Sequence, residues 1–274
     1  MTKGGSTTRK VGVVGLGAIG QALARAIDDG TIAMELVAAS ELDETKAVAF
    51  LNTLKRPPAL VALEDLIARS ELVIEATTQV ALQTIVPKTL ARGKDLMVLS
   101  VGGLLGRAHW FQLAEEKGCH IYIPSGAIAG LDGVRAACQG AVDSVTLITR
   151  KPPQAFVGVP YVVERGIDLH ALHEETVLFE GPARDACAAF PTNVNVAATL
   201  SLAGIGAERT HVKIVAVPGS TSNVHQIEVV GEFGKLRVEV ENVPSEANPR
   251  TSKLAYLSAI ATLEGIVAGT KVGI

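Results

Sequence analysis

The sequence predicts an α/β fold: a doubly wound parallel sheet, followed by a second α+β domain with a mostly antiparallel sheet. Three observations predict it. Short apolar segments alternate with helical patterns through the first 125 residues, which is the rhythm of parallel strands joined by right-handed crossovers. The apolar content of 48% comes from Ala, Val, Leu and Ile, with aromatics at only 4%, a composition that suits strands buried on both faces. After Ser125 the rhythm changes, and strands follow one another without intervening helices, as in an antiparallel sheet.

Each element follows from local pattern. Lys10–Gly15 reads as a short buried strand. Gly17–Ile27 reads as a helix, because Ile19, Leu23, Ala26 and Ile27 fall on one helical face. Leu36–Ser40 is a second strand, and Glu44–Leu54 a helix that Arg56-Pro57-Pro58 terminates. Leu60-Val61 is a short strand, Leu63–Ser70 a short helix and Leu72–Ala76 an apolar strand. Gln79–Arg92 is helical, with Pro87 as a kink or a second start. Leu96–Ser100 is a buried strand, Leu105–Lys117 a helix with Gly118 as its C-cap, and His120–Pro124 a further strand. Beyond it, Leu131–Gln139 is helical, Val142–Arg150 a strand, Pro152–Gly166 irregular, and Asp185–Phe190 and Asn195–Ala203 helical. Val212–Val217, Val224–Glu232 and Lys235–Val240 are strands, with Phe233-Gly234 turning between the last two. Leu254–Ala268 is an apolar helix. Residues 1–125 are therefore expected to form one domain and residues 126–253 another. By analogy with other two-domain enzymes, residues 254–274 are expected to return to the first.

Composition excludes several functions. With 25 basic and 28 acidic residues the net charge is −3, so the basic footprint of a nucleic-acid partner is absent. No apolar run reaches the roughly 18–20 residues that span a bilayer, and Met1–Lys10 lacks the apolar stretch of a signal peptide. Cys119, Cys138 and Cys187 are odd in number and widely spaced, which fits reduced thiols and a cytoplasmic location. His170 and His173 could share a helix face, but no third ligand accompanies them, so no metal is expected.

The motif Gly15-Leu16-Gly17-Ala18-Ile19-Gly20 follows a strand and opens a helix, the context that a Rossmann-type dinucleotide fingerprint requires. Gly15 permits the tight turn, Gly17 lets backbone approach a pyrophosphate, and Gly20 lets helix and strand pack closely. The helix start at Ala18 and Ile19 faces the phosphates. Glu41 stands about where such a fold places an acidic residue on the ribose hydroxyls, favouring NAD and leaving NADP open; equally, it begins the next helix. Thr77 in Ala76-Thr77-Thr78, and Ser100-Val101-Gly102-Gly103, end strands where these sheets bind ligands, or they simply form turns. His225 is either a proton-transfer group, since imidazole has a reference pKa of about 6.5, or a satisfied sheet histidine.

Several segments together resemble the L-aspartate dehydrogenase family. They are Val13–Gly20, Ser100–Gly103, Pro124-Ser125-Gly126-Ala127-Ile128-Ala129-Gly130-Leu131-Asp132, Thr149–Pro153, Phe190-Pro191-Thr192-Asn193-Val194-Asn195-Val196-Ala197, the stretch around His225, and Asn248–Ser252. The resemblance spans nearly the whole chain. It implies oxidative deamination of L-aspartate through iminoaspartate to oxaloacetate and ammonia, or the reverse, in a homodimer, with a place in NAD formation. It makes His225 catalytic and assigns Ala129 and Asn195 to the nicotinamide end of the cofactor. Asn195 can present a donor and an acceptor to a carboxamide, or cap the helix that follows. An acidic substrate needs cations, and Arg150, Lys151, Arg250 and Lys253 are the basic residues in or beside these segments, each either a carboxylate partner or a solvated or structural charge. Thr251 and Ser252 either bind a carboxylate at the start of the last helix or cap it. Two further readings share the fingerprint. One is a two-domain NAD(P)-dependent reductase of the dihydrodipicolinate reductase or homoserine dehydrogenase type. The other is a non-enzymatic NAD-sensing module.

Overall fold

A computed structural model describes residues 8–190, 195–243 and 252–273. It divides into two compact units, one of Met1–Pro124 with Ala259–Val272, the other mainly Ser125–Ser258. The first unit begins β1 (Arg9–Val14), α1 (Ala18–Asp28), β2 (Met34–Ser40), α2 (Glu44–Leu51), β3 (Ala59–Leu60) and α3 (Leu63–Arg69). It continues through β4 (Leu72–Glu75), α4 (Leu82–Ala91), β5 (Asp95–Val98), α5 (Ala108–Lys117) and β6 (Ile121–Tyr122). The strands form one sheet in the order β3-β2-β1-β4-β5-β6, every pair parallel. The chain therefore runs outward from β1 to β3 and restarts at β4 on the other side. The crevice at that reversal, at the carboxyl ends of β1 and β4, is where such sheets hold ligands.

Val11, Val13, Leu72, Ile74 and Met97 fill the sheet's interior, with Leu23 and Ile27 of α1 packed on them. Gly118 ends α5 in the left-handed region at φ 64°, as its position in the sequence predicts. Pro87 lies inside α4 and does not end it. Where a helix from Leu105 is expected, a 3-10 turn occupies Val101–Leu104 and α5 starts at Ala108.

The second unit contains α6 (Leu131–Ala137), β7 (Val142–Lys151), α7 (Pro160–Glu164), β8 (Thr176–Pro182), α8 (Ala183–Ala189), α9 (Asn195–Ala203), β9 (Thr210–Ala216), β10 (Asn223–Gly231) and β11 (Gly234–Asn242). Its sheet runs β11-β10-β7-β9-β8. All pairs are antiparallel except β7 with β9. The stretch expected to be irregular holds α7 and a 3-10 turn at Pro153–Phe156, each started by a proline that presets the first helical residue. Phe156, Phe179 and Phe190 meet edge to face in this unit's core. The last helix, α10 (Lys253–Val267), buries Ala259 and Leu263 in the core of the first unit.

Candidate functional site

The glycine loop leaves β1 at Val14. Gly15 adopts φ +89°, and a Cβ there would lie 2.4 Å from the Ala76 carbonyl oxygen. A Cβ on Gly20 would lie 2.0 Å from the Gly15 oxygen. Both glycines are therefore required by packing within the loop. Gly17 differs: nothing in the protein lies within 4 Å of its Cβ position. Its lack of a side chain keeps an open approach to the backbone at the start of α1. The first N–H groups of a helix have no intrahelical acceptor, and the first turn of α1 contains no acidic residue. The loop thus fits a pyrophosphate, with Ala18 and Ile19 offering N–H groups to it.

Glu41 follows β2 and turns back onto this loop. Its carboxylate accepts from Leu16 N at 2.6 Å and Leu42 N at 2.7 Å. It does not begin α2, which starts at Glu44 with Asp43 as its N-cap. A carboxylate has about four lone-pair sites, so ribose hydroxyls can still be accepted. Leu42 is fully exposed beside it.

Sequence reasoning missed Glu75. It ends β4 and is completely buried. One carboxylate oxygen accepts from Thr77 N at 2.7 Å, Thr77 Oγ1 at 2.7 Å and Ser100 Oγ at 2.8 Å. The other accepts from Leu99 N at 3.1 Å and Ser100 N at 3.0 Å. Thr77 therefore points its hydroxyl into the protein and, with Ser100, closes over a buried charge. An acidic residue ending an otherwise apolar strand was the signal for it.

In the second unit, His225 of β10 pairs in register with Thr149 of β7. Their side chains hydrogen-bond, His225 Nδ1 to Thr149 Oγ1, at 3.0 Å, and both are buried. Strand alternation puts Lys151 on the same face as Thr149, and Lys151 is buried too. Burial lowers the Lys151 ammonium to about 8. Burial, with the positive charge of Lys151 added, lowers the His225 imidazole to about 3. His225 is thus a neutral imidazole beside a cation.

The same alternation separates two residues expected to act together. Arg150 faces the other side of the sheet, where it meets Gln226 and Glu175. Arg237 bonds the same Gln226 oxygen. Lys151 is therefore brought to His225, and Arg150 is not.

Ala129 lies in a loop fixed at both ends. Asn242 Nδ2 donates to the Ala127 oxygen at 3.0 Å in the buried interior. Gly130 adopts φ +77°, where a Cβ would press on Val238 at 2.8 Å. Asn195 opens α9, and Ser252 is buried just before α10. Arg250 and Thr251 lie outside the described residues, as do residues 191–194. His170 and His173 are not on a helix, and no cluster of three or more candidate metal ligands occurs among the described residues. None of the helices among the described residues is long and apolar enough to cross a membrane. A cavity of about 430 Å³ opens beside Thr8, Met34 and Pro57, at the amino end of β2, away from the glycine loop.

Comparison with known proteins gives consistent findings. Residues 132–266 match a family described as aspartate dehydrogenase, C-terminal, and residues 15–124 one described as homoserine dehydrogenase, NAD binding domain. The L-aspartate dehydrogenase of Methanosarcina barkeri is 50% identical over 96% of this chain and 99% of its own length. That of Bradyrhizobium diazoefficiens is 43% identical over 94% and 91%. Among solved structures, aspartate dehydrogenase from Thermotoga maritima superimposes with a TM-score of 0.73 at 24% identity, covering 97% of this chain and all of that one. A homoserine dehydrogenase from Thiobacillus denitrificans shares the fold at a TM-score of 0.61 and 13% identity, covering 96% and 75%.

Proposed function

The chain belongs to the L-aspartate dehydrogenase family, and on that premise we propose that it oxidatively deaminates L-aspartate through iminoaspartate to oxaloacetate and ammonia, reversibly. The cofactor is a pyridine nucleotide. When bound, it supplies a nicotinamide that accepts the hydride from the substrate Cα. The protein then has to orient the substrate and move protons. The observation that carries this reading is the buried His225–Thr149–Lys151 group on a sheet face otherwise filled by Val145, Leu147, Ile227 and Val229. Three polar side chains on such a face are expensive unless they are used.

In this reading the Lys151 ammonium holds a substrate carboxylate. Burial is the larger cause of the lowered His225 imidazole and the Lys151 charge the smaller; a carboxylate on Lys151 offsets the smaller one and so favours the protonated imidazole. His225 takes a proton from the substrate ammonium and passes it to solvent; it later takes one from the water that adds to the imine carbon and returns it to the departing nitrogen. Adding water and expelling ammonia yields oxaloacetate. Ala129 and Asn195 contact the nicotinamide end, as the family pattern implies, and Arg250, Thr251 and Ser252 serve the second substrate carboxylate. Gly15, Gly17, Ala18, Ile19, Gly20 and Thr77 form the cofactor's bed.

NAD is the preferred form. Glu41 borders the loop with lone pairs to spare, no Arg or Lys occupies residues 40–45, and Lys46 is paired with Asp43 at 3.0 Å. A 2′-phosphate finds no ready cation there. The enzyme works in the cytoplasm as a homodimer. Following NADH absorbance with L-aspartate, homoserine and no amino acid tests the function. We expect turnover with L-aspartate alone, at least ten times faster with NAD than with NADP. Tight NADH binding with no turnover of L-aspartate at alkaline pH would reject it in favour of a sensing module.

A further inference from the structure

We infer that Glu75 is a positioning residue for the nicotinamide half of the cofactor, acting through Thr77 and Ser100. The inference rests on the cofactor reading above and concerns the first unit alone.

The sheet order separates the two halves of a dinucleotide site. The glycine loop follows β1, and Glu41 follows β2 on one side of the reversal. That side takes the adenine ribose. The other half of the dinucleotide must then lie over the ends of β4 and β5. Those ends are Ala76–Thr78 and Leu99–Gly103. Between them lies the Glu75 carboxylate, buried and bonded to five donors.

Three of the five are backbone N–H groups, on Thr77, Leu99 and Ser100. They come from two loops far apart in sequence. The regular pairing of the two strands ends at Glu75 and Val98; Leu99 N is shared between the Glu75 main-chain oxygen at 3.2 Å and its carboxylate, and the side chain carries the join on to Ser100 and Thr77. It joins the two strand ends into one floor. No ion pair to Glu75 occurs among the described residues. A charge buried without a counter-ion is tolerated when charge-assisted hydrogen bonds surround it. A packing role alone would be served by an apolar residue, as it is at Leu72, Val73 and Ile74 of the same strand.

Glutamine is the informative replacement. It keeps the length and one acceptor oxygen but presents an NH2 group on the other side. Either orientation sets that NH2 against a backbone N–H: Thr77 on one side, Leu99 and Ser100 on the other. Either Thr77 N or Ser100 N must then lose its acceptor, while Leu99 N keeps the Glu75 main-chain oxygen.

The test is ligand binding to the full-length protein, with no turnover required. NADH and ADP-ribose are titrated into the wild type, Glu75→Gln and Ser100→Ala; ADP-ribose lacks the nicotinamide ring. For Glu75→Gln we expect the Kd for NADH to rise roughly tenfold or more, with ADP-ribose changed less than about twofold. Ser100→Ala removes one hydroxyl donor and leaves the backbone bonds, so it should show the same split at a smaller size. It also carries the test if Glu75→Gln does not fold. Equal weakening of both ligands, or no change in either, would overturn the positioning role. A wild type that binds neither ligand would overturn the cofactor reading itself.

Discussion

At the scale of single residues, the chemistry depends on which face of a strand a side chain takes. His225, Thr149 and Lys151 share a face because His225 and Thr149 are register partners and Lys151 lies two residues along β7. Arg150, between Thr149 and Lys151, cannot join them and is held by Gln226 and Glu175 instead. Reading one sequence made Arg150 and Lys151 equal candidates, since both are cations in one motif. Only the pairing of β7 with β10, residues 76 apart at the Thr149–His225 bond, places Lys151 and not Arg150 on the His225 face. Thr149 was invisible for the same reason: a β-branched residue in a strand needs no functional explanation. Its hydroxyl fixes the ring orientation of His225. Thr149→Val should lower kcat roughly tenfold while leaving the Kd for NADH unchanged, and Thr149→Ser should restore most of the loss. Steady-state kinetics beside NADH titration checks this. Equal kcat in all three proteins would show that the hydrogen bond does not orient the base.

At the scale of elements, most of the fold was legible because hydrophobic period and turn chemistry agreed. The parallel strands of the first unit are short apolar runs, and glycine marks their turns. Elements that were missed had a disturbed period. β8 carries a register irregularity between Val177 and Phe179, which shifts its inward side chains by one and erases the alternation a strand should show. α7 has only five residues, too few for a 3.6-residue period to declare itself. The glycine fingerprint was legible as a motif, but its three glycines turn out to have separate jobs, which gives a paired prediction. Gly17→Ala adds a methyl into open space at an ordinary φ of −71°. It should leave the melting temperature within a degree or two and weaken NADH binding roughly tenfold or more. Gly20→Ala drives a methyl into the Gly15 carbonyl and should destabilise the protein by about 1–3 kcal/mol. Thermal melts with NADH titration separate the two outcomes. A Gly17→Ala protein that binds NADH normally would remove the pyrophosphate from that spot.

At the scale of the whole molecule, the two units have different cores. The first, built from parallel strands, carries the glycine loop and the buried Glu75 carboxylate bonds that we propose as the cofactor bed. The second, with its cluster of Phe156, Tyr161, Phe179 and Phe190, supplies a rigid sheet on which a histidine and a lysine are buried. The net charge of −3 means that an acidic substrate is not drawn in by the overall field. In the proposed reading individually placed cations recognise it, among them Lys151, which is buried beside the proposed base. In the same proposed reading His225 moves the protons of aspartate oxidation. The most direct measurement is the initial rate of L-aspartate-dependent NAD reduction by wild type and His225→Ala, both at saturating NAD and with NADH affinity measured in parallel. The expected result is a fall in kcat of roughly 100-fold or more with NADH affinity unchanged. A folded His225→Ala protein that turns over L-aspartate at near the wild-type rate would contradict it.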